Sequence, residues 1–327
     1  MTLPLSHRAL LSWNDMQNIN WEHLLNSSFK DIKHSINFSK DQYLLNINGI
    51  DIKFLKDKNN FIVSPDKWIE EKISNEKIHE PRMVSWLFAF SEVFKSKKIR
   101  FYDIGALFGF HSFIFSKISD YSRIITVEGN PLSAQYIKKN VEKNKLQDFD
   151  VINCVVDKEN KEKIFLIDAF SFQLSKKNRF KYLIKKNIKF LLSSILNYLN
   201  FKVKFSEKKI IEKIYSKTIE SIMLPYSENI IEIIKIDTEG HQAIFLPSST
   251  KDLIRRDAIV LLELDDPSLM KSFGSSNAEL IDPFLNNNYS AFWTQHRDKA
   301  SEVKKILKLE DKFDCNSLVT LIPQKFI

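Results

Sequence analysis

Glycine and cysteine are both scarce in this chain. Its 327 residues include only 6 glycines and 2 cysteines. Cys154 and Cys315 are far apart and form no Cys-x-x-Cys pair, which argues against a disulfide framework or a structural zinc site. Because glycine is rare, each one carries more information than usual. Two of them, Gly105 and Gly109, fall within one short motif.

Long apolar runs are also missing. No stretch of about 20 apolar residues is present, so we expect no membrane-spanning helix. The first residues, MTLPLSHR, lack the basic start and apolar run of a secretory signal. These observations predict a cytoplasmic protein.

The composition provides enough apolar residues for a hydrophobic core, and it has an excess of positive charge. Hydrophobic residues make up 43% of the chain, 26 residues are Phe, and the net charge is +8. That apolar share excludes global disorder. The positive charge indicates an anionic partner, such as nucleic acid, a membrane surface or a phosphorylated substrate. The alternative is that a Lys- and Ile-rich composition carries no functional message.

We predict two regions, an accessory region at 1–78 and a larger domain at 79–327. Alternating residues on either side of Asn48-Gly49 predict a β-hairpin, since this dipeptide tolerates the positive φ angles of a tight turn. Residues 66–78 have the pattern of a short polar helix. An apolar helix over residues 80–94 then leads into the larger domain.

Strands and helices alternate through the larger domain. Strands are predicted at 99–103, 124–128, 151–156, 230–237 and 258–264, and Asn130-Pro131 marks a helix start. This order predicts an α/β fold with a mostly parallel sheet and helices on both faces. Residues 289–293 and 317–322 are predicted to form an edge hairpin.

A basic segment at about 170–217 interrupts this alternation. It holds 13 Lys or Arg and two acids, and apolar residues recur every three or four positions between 180 and 199. The pattern predicts a basic amphipathic helical insert. Three interpretations stay open, in this order: a helix packed on the domain with solvated lysines, peripheral contact with an anionic membrane or lipid-linked substrate, and contact with nucleic acid.

The motif with most chemical content starts at Asp103. It reads Asp103-Ile-Gly105-Ala-Leu107-Phe-Gly109, follows a strand and opens a helix. Gly105 permits a sharp turn close to a ligand, and Gly109 lets the helix pack tightly. Glu128 ends the next strand, where a carboxylate can accept hydrogen bonds from ribose hydroxyls.

The glycine spacing separates two cofactor classes. A dinucleotide site needs Gly-x-Gly-x-x-Gly for its pyrophosphate, but Leu107 and Phe110 stand at the second and third positions. S-adenosylmethionine has no phosphate and tolerates side chains there. Asp103 can hold the cationic amino end of its methionine part.

With these motifs the chain resembles the FkbM family of class I methyltransferases. Members typically read Asp-x-Gly-Ala-Asn-x-Gly-[Phe/Tyr]-[His/Tyr]-[Ser/Thr], and the match continues through Glu128-Gly-Asn130-Pro131, the strand around Asn153 and Lys235-Ile-Asp237-Thr-Glu239-Gly240. The resemblance implies a Rossmann-like fold that uses S-adenosylmethionine. Leu107 departs from the usual Asn, and Gly129 departs from the usual Pro. The predicted cofactor-binding residues are Asp103, Gly105, Gly109, Glu128, Asn130 and Asn153.

The predicted catalytic residues follow the strand at 230–237. Charged residues seldom collect at a buried strand end for packing alone, and strand periodicity places Lys235, Asp237 and Glu239 on one side if the strand continues. We assign Asp237 as base or metal ligand, Glu239 as its support and His241 as a second base. A divalent metal, if present, is expected at Asp237 and Glu239. Glu263 either faces the same cleft or pairs with Lys235.

These predictions define an S-adenosylmethionine-dependent methyltransferase. From the resemblance we expect O-methylation of a saccharide or secondary-metabolite hydroxyl, on a small-molecule or glycan acceptor at the inner membrane face. Two alternatives remain, namely a nucleic-acid methyltransferase that uses the basic insert, and a membrane-associated non-catalytic protein with a methyltransferase fold.

Overall fold

The computed structural model describes residues 19–57, 64–167, 210–310 and 317–327. Within them the helices are α1 (Trp21–Ser27), α2 (Pro65–Lys72), α3 (Pro81–Val93), α4 (Phe110–Ile118), α5 (Pro131–Asn144), α6 (Ile219–Ile222), α7 (Gln242–Arg255), α8 (Pro267–Ser272) and α9 (Asn277–Leu285). The strands are β1 (His34–Phe38), β2 (Gln42–Ile47), β3 (Ile50–Leu55), β4 (Lys98–Ile104), β5 (Ser122–Glu128), β6 (Phe149–Asn153), β7 (Val155–Val156), β8 (Lys161–Ile167), β9 (Ile210–Lys217), β10 (Ile230–Ile236), β11 (Ile259–Leu264), β12 (Tyr289–Thr294), β13 (Lys304–Ile306) and β14 (Ser317–Pro323).

An eight-stranded sheet forms the centre of the described fold, in the order β13-β12-β14-β11-β10-β4-β5-β6. Strands β11, β10, β4, β5 and β6 pair in parallel, and their residues are almost wholly apolar where the sheet is covered on both faces. The predicted α/β Rossmann-like fold is confirmed. The chain moves outward from β4 to β5 and β6, then returns to place β10 on the other side of β4.

That reversal fixes where a ligand can bind. In open α/β sheets, the crevice outside the carboxyl ends of the strands opens where the strand order reverses. Here the turn after β4 and the turn after β10 lie side by side, since Asp237 N donates to Ile104 O at 3.1 Å. The glycine motif and the predicted catalytic segment therefore meet at one edge of the sheet.

The predicted hairpin at Asn48-Gly49 is confirmed as β2 and β3, with β1 as a third strand. Its outer strand docks on α5, where Asn140 Oδ1 accepts from Leu55 N at 2.7 Å and Asn144 bonds both backbone groups of Lys53. Apolar residues of the hairpin and of α1 join the same core cluster as α3 and α4. The predicted division at residue 78 stays a prediction.

A second sheet of three strands, β7-β9-β8, lies beside the main one. The prediction of a helical insert at 170–217 is wrong at its end, because Ile210–Lys217 form strand β9 and pair with β8. This stretch is rich in the β-branched residue Ile, which favours an extended chain, although its apolar residues do not alternate. The predicted helix at 180–199, and with it the membrane or nucleic-acid contact, lies in residues outside the described part of the chain.

Three smaller predictions need correction. The helix predicted at 66–78 ends at Lys72, because Ser74 and Lys77 close a turn through mutual backbone hydrogen bonds. The strand predicted at 151–156 is split by Cys154 between the two sheets. Strands β12 and β14 do pair, but β13 occupies the edge. None of the helices in the described ranges has the length and apolarity that a membrane span requires.

Candidate active site

A cleft opens at the edge of the sheet where β4 and β10 end. It encloses about 720 Å³, including space open to solvent. Its lining comes from the ends of β4 and β5 and the turns that follow them, from the turn after β10, and from Cys154 and strand β7. The lining residues are Ile104, Gly105, Leu107, Val127, Glu128, Gly129, Cys154, Val155, Val156, Asp237, Thr238, Glu239 and His241.

Gly105 makes the close approach of the two central turns possible. Its φ is +78°, in the left-handed region, and a Cβ there would lie 1.8 Å from the Asp237 carbonyl oxygen. No side chain fits that space, so the residue type follows from the contact. Gly109 also has a positive φ, +75°, and its missing side chain leaves room for Phe113 and Ile137.

Leu107 lies in the same turn at φ +51°. Asn visits this left-handed region more readily than Leu, because its short polar side chain can bond locally. The Asn that usually occupies this position in the FkbM pattern suits such a backbone. Leu107 keeps the turn, and its N–H donates to Glu128 Oε2 at 2.7 Å.

Glu128 lies at the end of β5 with 5% of its surface exposed, and it lines the cleft. Its other oxygen, Oε1, accepts from Asn130 N at 2.7 Å. Burial raises the pKa of Glu128 to about 7, although the two backbone hydrogen bonds oppose that shift. A carboxylate offers about four acceptor positions, so two remain for a ligand's hydroxyls.

The predicted cofactor residues Asn130 and Asn153 brace the turn that carries Glu128. The Asn130 side chain caps α5 by accepting from Leu132 N, and Asn153 Nδ2 donates to the Glu128 carbonyl at 2.8 Å. Neither is among the residues lining the cleft. Their direct contact with a cofactor stays a prediction.

Asp103 lies beneath the cleft, in contact with Lys235. Its Oδ2 accepts from Ser112 Oγ at 2.7 Å, and its Oδ1 lies 3.2 Å from Lys235 Nζ. The same ammonium lies 3.2 Å from Asp237 Oδ2. One buried cation thus links the carboxyl ends of β4 and β10 through Asp103 and Asp237. Asp103 is not among the residues that line the cleft. Its predicted contact with the methionine amino group is untested.

Replacing this cation should cost more stability than replacing a cation at the surface. We expect Lys235→Met to lower the free energy of unfolding by about 3–5 kcal/mol, because two carboxylates lose their buried partner. The matched control is Lys325→Met, whose exposed pair with Asp257 at 2.7 Å should contribute at most about 1 kcal/mol. Urea unfolding of both variants measures the difference; equal losses would contradict this account.

Asp237 and Glu239 occupy the turn after β10. The strand ends at Ile236, and Glu239 adopts φ +51°, so the expectation that strand periodicity reaches Glu239 is wrong. Burial, followed by the charge of Glu263, raises the pKa of Asp237 well above its usual value. Burial, followed by the charges of Asp237 and Asp265, raises the pKa of Glu239 to about 7. Both carboxyls are partly exposed in the cleft and are suited to accept a proton.

The turn itself is held by residues that the sequence did not single out. Asp265 Oδ2 accepts from Gly240 N at 2.8 Å and from Gln242 Nε2, while Thr238 Oγ1 donates to Gln242 Oε1 at 2.7 Å. His241 lines the cleft and is 3% exposed, with Nε2 3.7 Å from Asp157 Oδ2. Its predicted role as second base remains untested.

A second group of ionisable side chains is buried behind Asp237. His296 Nε2 lies 3.4 Å from Glu80 Oε1 and 3.4 Å from Glu263 Oε1. We call these three residues the Glu80–Glu263–His296 cluster. His79 and His111 contact Glu80 at 3.2 and 3.5 Å, and the half-exposed Arg297 donates to Glu263 at 2.7 Å.

The contacts of Glu263 are with Arg297 and His296, and it is not among the residues that line the cleft. Lys235 pairs with Asp103 and Asp237. Glu80 is held at φ +47° immediately before Pro81, a backbone state that costs roughly 1–3 kcal/mol for a residue other than glycine.

His296 and Arg297 were missed because strand direction was unknown. They follow β12, which is antiparallel to β14, and β14 is antiparallel to β11. The end of β12 therefore lies at the same edge as the parallel strands. The sequence signal was a His-Arg pair just after a strand, but a pattern of apolar residues does not reveal which way a strand runs.

The glycine turn, the acid ending the next strand and the cleft at the strand reversal together define a class I S-adenosylmethionine-dependent methyltransferase. The family model for the methyltransferase FkbM domain matches residues 103–291, more than half of the chain. The chain belongs to the FkbM methyltransferase family, and its cofactor is S-adenosylmethionine.

Several solved structures resemble the chain at low identity. A putative O-methyltransferase from Klebsiella pneumoniae is 10% identical, with 80% of this chain and 91% of that chain covered and a TM-score of 0.40. An O-methyltransferase from Bacillus cereus in complex with SAH is 11% identical, with 74% and 81% covered and a TM-score of 0.37. A putative RNA methyltransferase from Pyrococcus horikoshii is 11% identical, with 81% and 93% covered and a TM-score of 0.33. No curated protein sequence matches the chain.

Proposed function

We propose that this methyltransferase transfers the methyl group to a hydroxyl of a saccharide or secondary metabolite. The observation that carries the proposal is the excess of carboxylates on the side of the cleft next to the cofactor turn. Asp237 and Glu239 line the cleft, and Glu263 and Asp265 lie close enough to act on their charges. The cations beside these four carboxylates are Lys235, Arg297 and His296.

A cleft rich in carboxylates suits a neutral acceptor with many hydroxyl groups. Each carboxylate can accept hydrogen bonds from sugar-like hydroxyls. A nucleic acid would instead bring phosphates toward these carboxylates, and its affinity depends on basic contacts. Most of the basic segment proposed for anionic partners lies outside the described residues. The charge of the cleft supports the hydroxyl acceptor.

Asp237 is placed to take the proton of that hydroxyl. Methyl transfer forms a carbon–oxygen bond as the bond to the sulfonium sulfur breaks, leaving S-adenosylhomocysteine, and the hydroxyl proton passes to Asp237. Burial raises the pKa of Asp237 above its usual value, which makes its carboxylate a stronger base. Lys235 fixes its position at 3.2 Å. The acceptor must approach in line with the methyl group.

A labelled-methyl assay tests the acceptor class. The full chain is incubated with S-adenosylmethionine labelled at the methyl group and with separate glycan, small-metabolite and RNA fractions. We expect label in a glycan or metabolite fraction, on oxygen, as located by mass spectrometry of the product. Label that enters RNA alone would refute the proposal.

Cofactor affinity should depend on pH through Glu128. Ribose hydroxyls donate to the ionised carboxylate, so binding lowers the pKa of Glu128 from about 7 and releases a proton. Affinity for S-adenosylmethionine should therefore rise with pH, by about tenfold between pH 6 and pH 8. Calorimetry at both pH values measures it.

The control separates Glu128 from the ionisation of the cofactor itself. Glu128→Gln keeps the shape of the side chain but cannot titrate. It should bind more weakly at pH 8 and lose most of the pH dependence. The same pH slope in both proteins would remove Glu128 from ribose recognition.

A further inference from the structure

We infer that the Glu80–Glu263–His296 cluster is a binding site for a divalent cation. The site lies behind Asp237, on different residues from the Asp237–Glu239 pair that the sequence suggested for a metal. Its part in the reaction rests on the hydroxyl acceptor proposed above, but the binding itself does not.

The geometry of the three ligand atoms fits one ion. Glu80, Glu263 and His296 each offer an atom within 4.8 Å of the others, and both His–Glu separations are 3.4 Å. Nitrogen and oxygen ligands bind a divalent ion at about 2.0–2.2 Å, which sets them roughly 3.0–3.5 Å apart in octahedral or tetrahedral arrangements. The two measured separations fall in that range.

His296 supplies an independent indication. It is 0% exposed, and neither ring nitrogen has a hydrogen-bond partner among the described residues. Its Nε2 lies 3.4 Å from an oxygen of each of two carboxylates, a distance at which a protonated ring forms ion pairs and a neutral ring can share a metal ion with them. Buried polar groups are normally paired, so an orphaned imidazole facing two acids indicates a missing ligand. Glu80 Oε2 is likewise buried without a hydrogen bond.

The balance of charge also favours a divalent cation here. Glu80 and Glu263 are almost fully buried, and Asp237 and Glu239 adjoin them. The neighbouring cations are Lys235, which is shared by Asp103 and Asp237, the half-exposed Arg297, and His296, whose pKa the two carboxylates raise against the effect of burial when no ion is bound. Buried charges are costly unless they are paired, and a divalent ion between two of these carboxylates neutralises the excess.

Two carboxylates and one imidazole suit Mn²⁺, since carboxylates favour the harder ions and imidazole the later transition metals. Arg297 competes for the same oxygen of Glu263, but it is half-exposed and can turn outward. Three protein ligands leave positions open for an acceptor hydroxyl. The ion would lower the pKa of that hydroxyl beside Asp237.

Manganese binding to the purified full chain is the test. After treatment with chelator and dialysis, we titrate Mn²⁺ and follow free Mn²⁺ by electron paramagnetic resonance, in the absence of cofactor and acceptor. We expect about one ion per chain, and at least about tenfold weaker binding in His296→Asn and in Glu263→Gln. The matched control is His34→Asn, a half-buried histidine that contacts only the Ser74 carbonyl among its described partners, and it should bind as the wild type does.

Several results would overturn the inference. One is the lack of stoichiometric binding by folded wild-type protein, which needs no variant to fold. Another is binding that survives both cluster substitutions but is lost in Glu239→Gln, which places the ion at the other acidic pair. The readout is independent of methyl transfer, so an incorrect acceptor class leaves it intact. If Mn²⁺ binds but methyl transfer is equally fast after its removal by chelator, the ion has no role in activating the acceptor hydroxyl.

Discussion

Gly105→Ala should abolish cofactor binding and destabilise the fold by about 2–5 kcal/mol. Alanine at φ +78° costs about 1–2 kcal/mol, and its Cβ would lie 1.8 Å from the Asp237 carbonyl oxygen. Relieving that overlap forces the ends of β4 and β10 apart, which adds about 1–3 kcal/mol. Urea unfolding measures the stability, and calorimetry with S-adenosylmethionine measures the binding.

Gly274→Ala is the matched control. Its φ is +82°, but nothing lies within 4 Å of the position that an alanine methyl group would occupy there. Its free energy of unfolding should therefore fall only by the cost of placing alanine at a positive φ, about 1–2 kcal/mol, and it should bind the cofactor as the wild type does. If the two variants behave alike, the close contact between the turns does not determine the choice of glycine.

Asp237→Asn should slow methyl transfer by about 10²–10⁴-fold at saturating substrate, the range for loss of a general base. Asparagine keeps the size of the side chain but cannot take the hydroxyl proton. Lys235 retains its partner Asp103 at 3.2 Å, so the fold should survive. Rapid-quench measurement of labelled product, with the acceptor found in the fractionation assay, gives the rate of the chemical step.

Two comparisons make this result specific. Asp150→Asn removes an exposed carboxylate that pairs with Arg123 at 2.9 Å, and it should leave the rate unchanged. Glu239→Gln should have a smaller effect than Asp237→Asn. If Glu239→Gln abolishes transfer while Asp237→Asn does not, the roles assigned to the two carboxylates are reversed.

The cofactor side of the site could be predicted from sequence because its determinants are local. A strand, a glycine turn and a helix start specify the backbone around Gly105 within a few residues. Parallel strands place their carboxyl ends at one edge, so Glu128 and Asp237 could be brought to the same cleft without knowing the strand order. What the pattern did not contain was the contact between Gly105 and the Asp237 carbonyl.

The far side of the site depends on long-range placement, which is why less of it was predicted. The sequence places Glu80 only at the start of an apolar helix, whereas the structure shows it buried among histidines. His296 requires knowledge of the direction of β12. The error at Ile210–Lys217 has a related cause, because the partner strand β8 decides its conformation.

Glu80 and His296 lie outside the part of the chain that matches the family domain. The FkbM match begins at Asp103 and ends at residue 291, and it includes the turns around Gly105, Glu128 and Asp237. Glu80 precedes it, His296 and Arg297 follow it, and Arg82 N bonds the His296 carbonyl at 3.1 Å. The segments before and after the family domain thus meet at the Glu80–Glu263–His296 cluster. On the function proposed above, recognition of the acceptor therefore draws on residues that the family domain does not contain.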